Sequence, residues 1–118
     1  MIITLPFLPP SVNMAYYTDK SSFTRHKSKK YRQFVDDCQA FMCQGSILGE
    51  VEIEINFYFP DKRKRDAFNY EKCLTDTLVH YGVIEDDSLI QRGVVEKYYS
   101  KGKPETLIEI KQYEAKHN

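Results

Sequence analysis

The chain has 118 residues, enough to bury one core and too few for two ordinary domains. Apolar residues make up 42% of it and charged residues 29%, values that exclude a disordered tail or a fibrous repeat. Lys and Arg number 17 against 17 acids, so no global field drives the molecule onto a polyanion. No apolar run approaches the roughly 20 residues that span a bilayer, and the N-terminus lacks a signal-peptide pattern; a soluble, cytoplasmic protein is expected. Cys38, Cys43 and Cys73 form no C-x-x-C and have no histidine at metal spacing, so reduced, mostly buried thiols are expected.

Met1 to Phe7 reads as a short β-type run ended by Pro9-Pro10, with a turn at Ser11-Val12-Asn13. Residues 16 to 27 mix aromatic, hydroxylic and basic side chains without period and read as a loop. Two readings stay open there: a solvated loop, or a strand-binding flap in which Tyr16, Tyr17 and Phe23 sit among cations. A helix is predicted from about Ser28 to Gln44, because Tyr31, Phe34, Val35, Cys38, Phe41 and Met42 recur at three- and four-residue spacing. Ser28 suits its N-cap and Gly45 its C′ position, while Lys29, Lys30 and Arg32 fall on the outer face.

Glu50 to Phe59 alternates strictly, with Val51, Ile53, Ile55, Phe57 and Phe59 on one side, and predicts a strand buried on one face. A second helix is predicted from near Asn69 to His80 or Tyr81, with Cys73, Leu74, Thr77, Leu78 and Tyr81 inward and Gly82 as its stop. Lys72 and Asp76, four apart, are expected to pair on its surface, worth a few tenths of a kcal/mol. Residues 88 to 99 read as a strand, Ser100 to Pro104 as a hairpin loop, and Thr106 to Gln112 as the returning strand. The last five residues are expected to fray. The order β-α-β-α-β-β predicts an α+β fold, a mixed β-sheet with two packed helices, in one domain spanning residues 1–118.

Chemistry concentrates between Asp61 and Ile90. Lys62, Arg63, Lys64 and Arg65 come straight off a strand end, beside Asp66, and Asp86 and Asp87 return about twenty residues on. Cations attract phosphate locally, since screening confines each charge to about 8 Å at physiological salt. Clustered carboxylates suit a hard divalent cation, and a site that wants both is most simply one that cuts or transfers phosphodiesters. The competing reading is a solvated basic loop and an acidic turn. His26, His80 and His117 are scattered, and no Gly-rich phosphate loop is present, so neither a His-based nucleophile nor a P-loop is argued.

The run D-K-R-K-R-D-A-F-N-Y-E-K, then T-D-T-L and G-V-I-E-D-D-S-L-I, resembles the RusA family of Holliday-junction resolvases, as does the opening L-P-F-L-P-P-S-V-N. The similarity covers nearly the whole chain in order. It implies a homodimeric, Mg²⁺-dependent endonuclease, in which Mn²⁺ can substitute, that cuts four-way DNA junctions by paired symmetric nicks. It implies catalytic roles for Asp66, Lys72 and Asp87 and metal ligation by Asp66 and Asp87, with Asp86 assisting. Lys62 to Arg65 would grip the DNA backbone, with Asn13, Asn69, Lys29 and Lys30 as further DNA contacts. Asp76 falls on the family's helix aspartate.

One departure stands out: where the family usually has a second aspartate, this chain has Phe68, which cannot bind a metal. Three alternatives follow: Asp66, Asp86 and Asp87 suffice with Glu71 moving in; the site cuts slowly; or the protein binds branched DNA without cutting. A plain oligomeric scaffold is the alternative that requires no DNA at all.

Overall fold

Every second side chain from Val51 to Phe59 is buried, and the computed structural model, which describes residues 1–115, puts this strand at the centre of the molecule. Its four-stranded sheet contains β1 (Ile2–Leu5), β4 (Val51–Phe59), β5 (Ile90–Tyr99) and β6 (Glu105–Gln112), in the order β1-β6-β4-β5. β4 runs parallel to β5 and antiparallel to β6, and β6 is antiparallel to β1. Between β1 and β4 lie α1 (Val12–Ala15), a two-stranded antiparallel ribbon of β2 (Tyr16–Thr18) and β3 (Arg25–Lys27), and α2 (Lys29–Cys38). α3 (Phe68–His80) links β4 to β5.

The core lies on one face of the sheet. Ile3, Leu5, Ile108, Ile110 and the odd-numbered residues of β4 pack against Phe34 and Cys38 of α2, Leu74 and Leu78 of α3, and Val83 and Ile84 beyond it. The opposite face is polar: Arg92 reaches Glu54 at 3.4 Å and Glu52 at 3.7 Å, Lys111 reaches Glu52 at 3.3 Å, and Tyr58 stacks on Tyr98. The alternation read from the sequence is thus the inside and outside of a sheet covered on one side.

Several expectations need correction. Among the described residues there are three α-helices rather than two, because the turn after Pro10 closes into the single turn of α1. Residues 16 to 27 are an ordered ribbon rather than a loop. α2 begins where expected, with the Ser28 hydroxyl accepting from the Tyr31 amide at 3.2 Å, but it tightens into a 3₁₀ turn at Gln39–Phe41 and does not reach Gln44. β5 and β6 are not hairpin partners, since β4 lies between them. The Ser100–Pro104 segment arches over the end of β4, where the Ser100 amide donates to the Phe59 carbonyl and the Gly102 amide to the Pro60 carbonyl. A central strand with an apolar face is better covered with neighbours on both edges than left at a rim. Residues 116–118, within the stretch expected to fray, lie outside the described residues.

α3 stops as the sequence requires. Gly82 has φ +71°, its amide donates to the Val79 carbonyl, and the Val83 amide donates to the Leu78 carbonyl, the paired bonds of a Schellman cap. This cap turns the chain toward Asp86 and Asp87. Gly82→Ala should cost roughly 1–2 kcal/mol, the penalty of a left-handed conformation for a residue with a Cβ, read as a lower urea midpoint with an unchanged slope.

Candidate functional site

A parallel neighbour for β4 requires a crossover, and α3 supplies it. Asp66 stands just before the helix, exposed, with Oδ1 accepting the Phe68 amide at 3.1 Å and its carbonyl accepting the Asn69 amide. Six residues on, about 9 Å of helix rise, comes Lys72. Its Nζ lies 3.0 Å from Asp76 Oδ1 and 3.8 Å from Asp87 Oδ2. The Asp76 hydrogen bond, with the Asp76 and Asp87 charges, pushes the Lys72 ammonium above its usual range, so it is a cation at neutral pH.

Asp86 and Asp87 differ in role. Asp86 accepts from the Ser88 amide at 3.2 Å and from the Ser88 hydroxyl, capping the 3₁₀ turn Asp87–Leu89. Those bonds, the hydroxyl's first, hold its carboxyl below the ordinary carboxylate range. Asp87, freed of that task, faces Lys72. The expected set of Asp66, Asp86 and Asp87 is therefore not gathered into one cage: among the described residues no three His, Cys, Asp or Glu side chains converge as a metal site. Asp87 lies instead with Asp76 around an ammonium. The sequence reading gave Asp76 a surface pair with Lys72 and, by resemblance, the place of the family's helix aspartate, but the K-x-x-x-D spacing could not show that Asp87 joins it. Hard carboxylate oxygens of this number still fit Mg²⁺, which keeps several waters and takes one or two carboxylates together with substrate phosphate.

Phe68 opens α3 with its ring 67% exposed, beside a groove lined by Ile53, Ile55, Glu71, Ile90, Gly93 and Val95. Glu71 Oε1 accepts the Thr75 hydroxyl at 3.1 Å.

The four-cation run sits at the other end of β5 from Asp87, and its members differ. Arg65 is turned inward, 2.7 Å from Asp61 and stacked over Phe59. Arg63 leans on Asp61 at 3.5 Å, Lys62 lies over Tyr99, and Lys64 is exposed. Lys97 Nζ donates to the Arg65 carbonyl at 2.6 Å, tying the run to β5. Lys62, Arg63 and Lys64 remain available to a phosphate backbone, whereas Arg65 anchors the loop.

The ribbon is hung beside the lysine. Tyr16 meets Tyr31 edge-to-face, and Tyr31, Ala15 and Cys73 form a buried cluster one residue from Lys72. Asn13 is exposed and shares a shallow surface with Tyr16, Tyr17, Thr18 and Arg25, and Lys29 and Lys30 are exposed in the first turn of α2. Burial pushes the Cys38 thiol to about 12 and the Cys73 thiol to about 11, so both are inert packing groups; Cys43 is exposed.

These features define a small α+β domain that presents a carboxylate-bound lysine, exposed cations and an aromatic ribbon. The chain belongs to the family described as Endodeoxyribonuclease RusA, whose model matches residues 6–111. It is similar to the "Crossover junction endodeoxyribonuclease rusA" proteins of Enterobacteria phage 82, at 34% identity over 85% of each chain, and of Enterobacteria phage HK97, at 35% over 70% of each. It also resembles the protein of that name from Aquifex aeolicus, at 35% identity over 56% of this chain and 52% of that protein, so this match spans about half the relative's length.

The Arg65 hydrogen bond, followed by the Arg63 amide, lowers the Asp61 carboxyl to about 2. A depressed folded pKa stabilises above the unfolded value, near 3.9, and that contribution fades as pH falls toward the folded one. The stability advantage of the native chain over Asp61→Asn should be complete above about pH 5 and shrink toward pH 2 in urea titrations. A pH-independent difference would remove the ion pair as its cause.

Proposed function

We propose that this chain is a divalent-metal-dependent endodeoxyribonuclease that resolves four-way DNA junctions by paired symmetric nicks, acting as a homodimer. The reading is carried by one observation: on a chain of an endodeoxyribonuclease family, Lys72 Nζ lies between Asp76 and Asp87, and Lys27 and Arg32 line the surface beside Asp76. A two-fold junction that needs two cuts calls for two sites related by a two-fold axis, which a homodimer provides.

Lys62, Arg63 and Lys64 hold the DNA backbone, with Asn13, Asn69, Lys29 and Lys30 as further contacts. Asp87 and Asp66 supply carboxylate oxygens to the metal, and Asp86 fixes the turn that aims Asp87. The metal those carboxylates would hold, Mg²⁺ or Mn²⁺, would supply an acidified water and neutralise charge at the phosphate. Lys72, held protonated, cannot serve as general base; it donates to a phosphate oxygen or the leaving oxygen as charge develops there.

Purified protein incubated with a labelled four-way junction and Mg²⁺ should give nicked products; none at any protein excess would overturn the enzymatic reading. Lys72→Met should lower the single-turnover rate about 10²–10³-fold, the scale of one lost transition-state donor. Asp87→Asn and Asp66→Asn should abolish nicking and keep junction binding, because the basic surface is untouched; normal cutting by either would refute its ligand role.

A second reading, a branched-DNA-binding protein that cuts weakly or not at all, is favoured by Phe68 and by the absence of a three-carboxylate set among the described residues. Phe68→Asp separates the two. It should raise nicking sharply if the site lacks a ligand, and leave it unchanged or lower if the present donors are sufficient.

A further inference from the structure

The most exposed large apolar side chain among the described residues is Phe23, 84% accessible at the tip of the β2–β3 ribbon. Its φ is +55°, the left-handed region that a bulky residue enters at a cost of roughly 1–2 kcal/mol. The tip is held in that shape: the Phe23 amide donates to the Asp19 carbonyl at 2.7 Å and the Asp19 amide to the Thr24 carbonyl at 2.9 Å. Asp19 Oδ1 accepts from both the amide and the hydroxyl of Ser21, so the ribbon's acid is engaged within its own turn. A side chain in this backbone conformation and without burial gains nothing inside the chain.

The surroundings indicate what it meets. Lys20 is exposed on the same tip, Arg25 lies over the Tyr16 ring at 4.0 Å, Lys27 lies over Tyr31, and Tyr17 stacks on His26. Cations interleaved with flat rings match a nucleic-acid strand, phosphates to the cations and base faces to the rings. An apolar protein groove would not call for the cations. The ribbon's base is fixed to α3 through Tyr16, Tyr31 and Cys73, next to Lys72, so the ribbon is rooted beside the site.

We propose that the β2–β3 ribbon is a base-stacking finger, with Phe23 stacking on a base whose neighbours are unstacked at the centre of a branched DNA and Lys20, Arg25 and Lys27 holding the adjoining phosphates. This deepens the junction-cutting reading and rests on it. The finger gives preference for branched over continuous duplex, because a continuous duplex offers no free base face.

The test is binding by the full chain, in chelator-containing buffer, to a four-way junction and to linear duplex of the same sequence. Phe23→Ala should weaken junction binding about 5- to 150-fold, the range of one lost base–aromatic stack, and change duplex binding less than about twofold. Phe23→Gly, which suits the positive φ, guards against a folding artefact and should show the same loss with unchanged thermal stability. Phe23→Trp should restore binding, with its fluorescence quenched by the junction and not by the duplex. Junction binding by Phe23→Ala equal to wild type, or equal losses on both DNAs, overturns the finger and leaves the nuclease reading standing. Absence of junction binding by the wild type overturns both.

Discussion

One strand, buried on a face and paired along both edges, constrains the rest of the molecule. β4 needs a parallel neighbour on one side and an antiparallel one on the other. The parallel neighbour demands a crossover, and thirteen residues of α3 provide it, about 20 Å of helix. The turn that carries Asp87 is met from the first half of α3 by a long flexible side chain. Lys72 is that group, and Asp76, one turn further, follows it into the cluster.

Much of this was legible in the chain. The period-two run of β4 announced its buried face, Ser28 announced the start of α2, and Gly82 announced the end of α3, each because a single local rule governs the position. The pairing of β5 was not legible. Ser100 to Pro104 has the composition of a hairpin turn, yet the loop spans the end of β4, a choice made by sheet coverage and invisible to turn chemistry. The ribbon was missed because three-residue strands carry too few positions for a period to show. At the site, the Asp86-Asp87 pair was visible, but its division of labour depends on which carboxylate Ser88 engages.

The basic run shows how composition misleads at short range. Four consecutive cations suggest one uniform patch, yet Arg65 is drawn inward by Asp61 and the Phe59 ring while Lys64 stands free. A guanidinium can stack on an aromatic face and pair with a carboxylate at once, so it serves as an anchor where a lysine remains solvated. The effective patch is therefore smaller than the sequence suggests, and Lys20, Arg25 and Lys27 on the ribbon are exposed cations of their own.

Charge balance also bears on why Lys72 sits where it does. Asp76 and Asp87 would repel one another across a shared pocket, and the ammonium between them relieves that repulsion. Two acids and one ammonium leave a single net negative charge. A phosphodiester approaching that cluster adds a second, an arrangement that repels the substrate the proposed function requires. On the proposed function, one divalent cation would bring the sum to zero, so electrostatics would favour a metal that binds together with the DNA. Such a site would need no third carboxylate in advance, because Mg²⁺ takes phosphate oxygens and waters as readily.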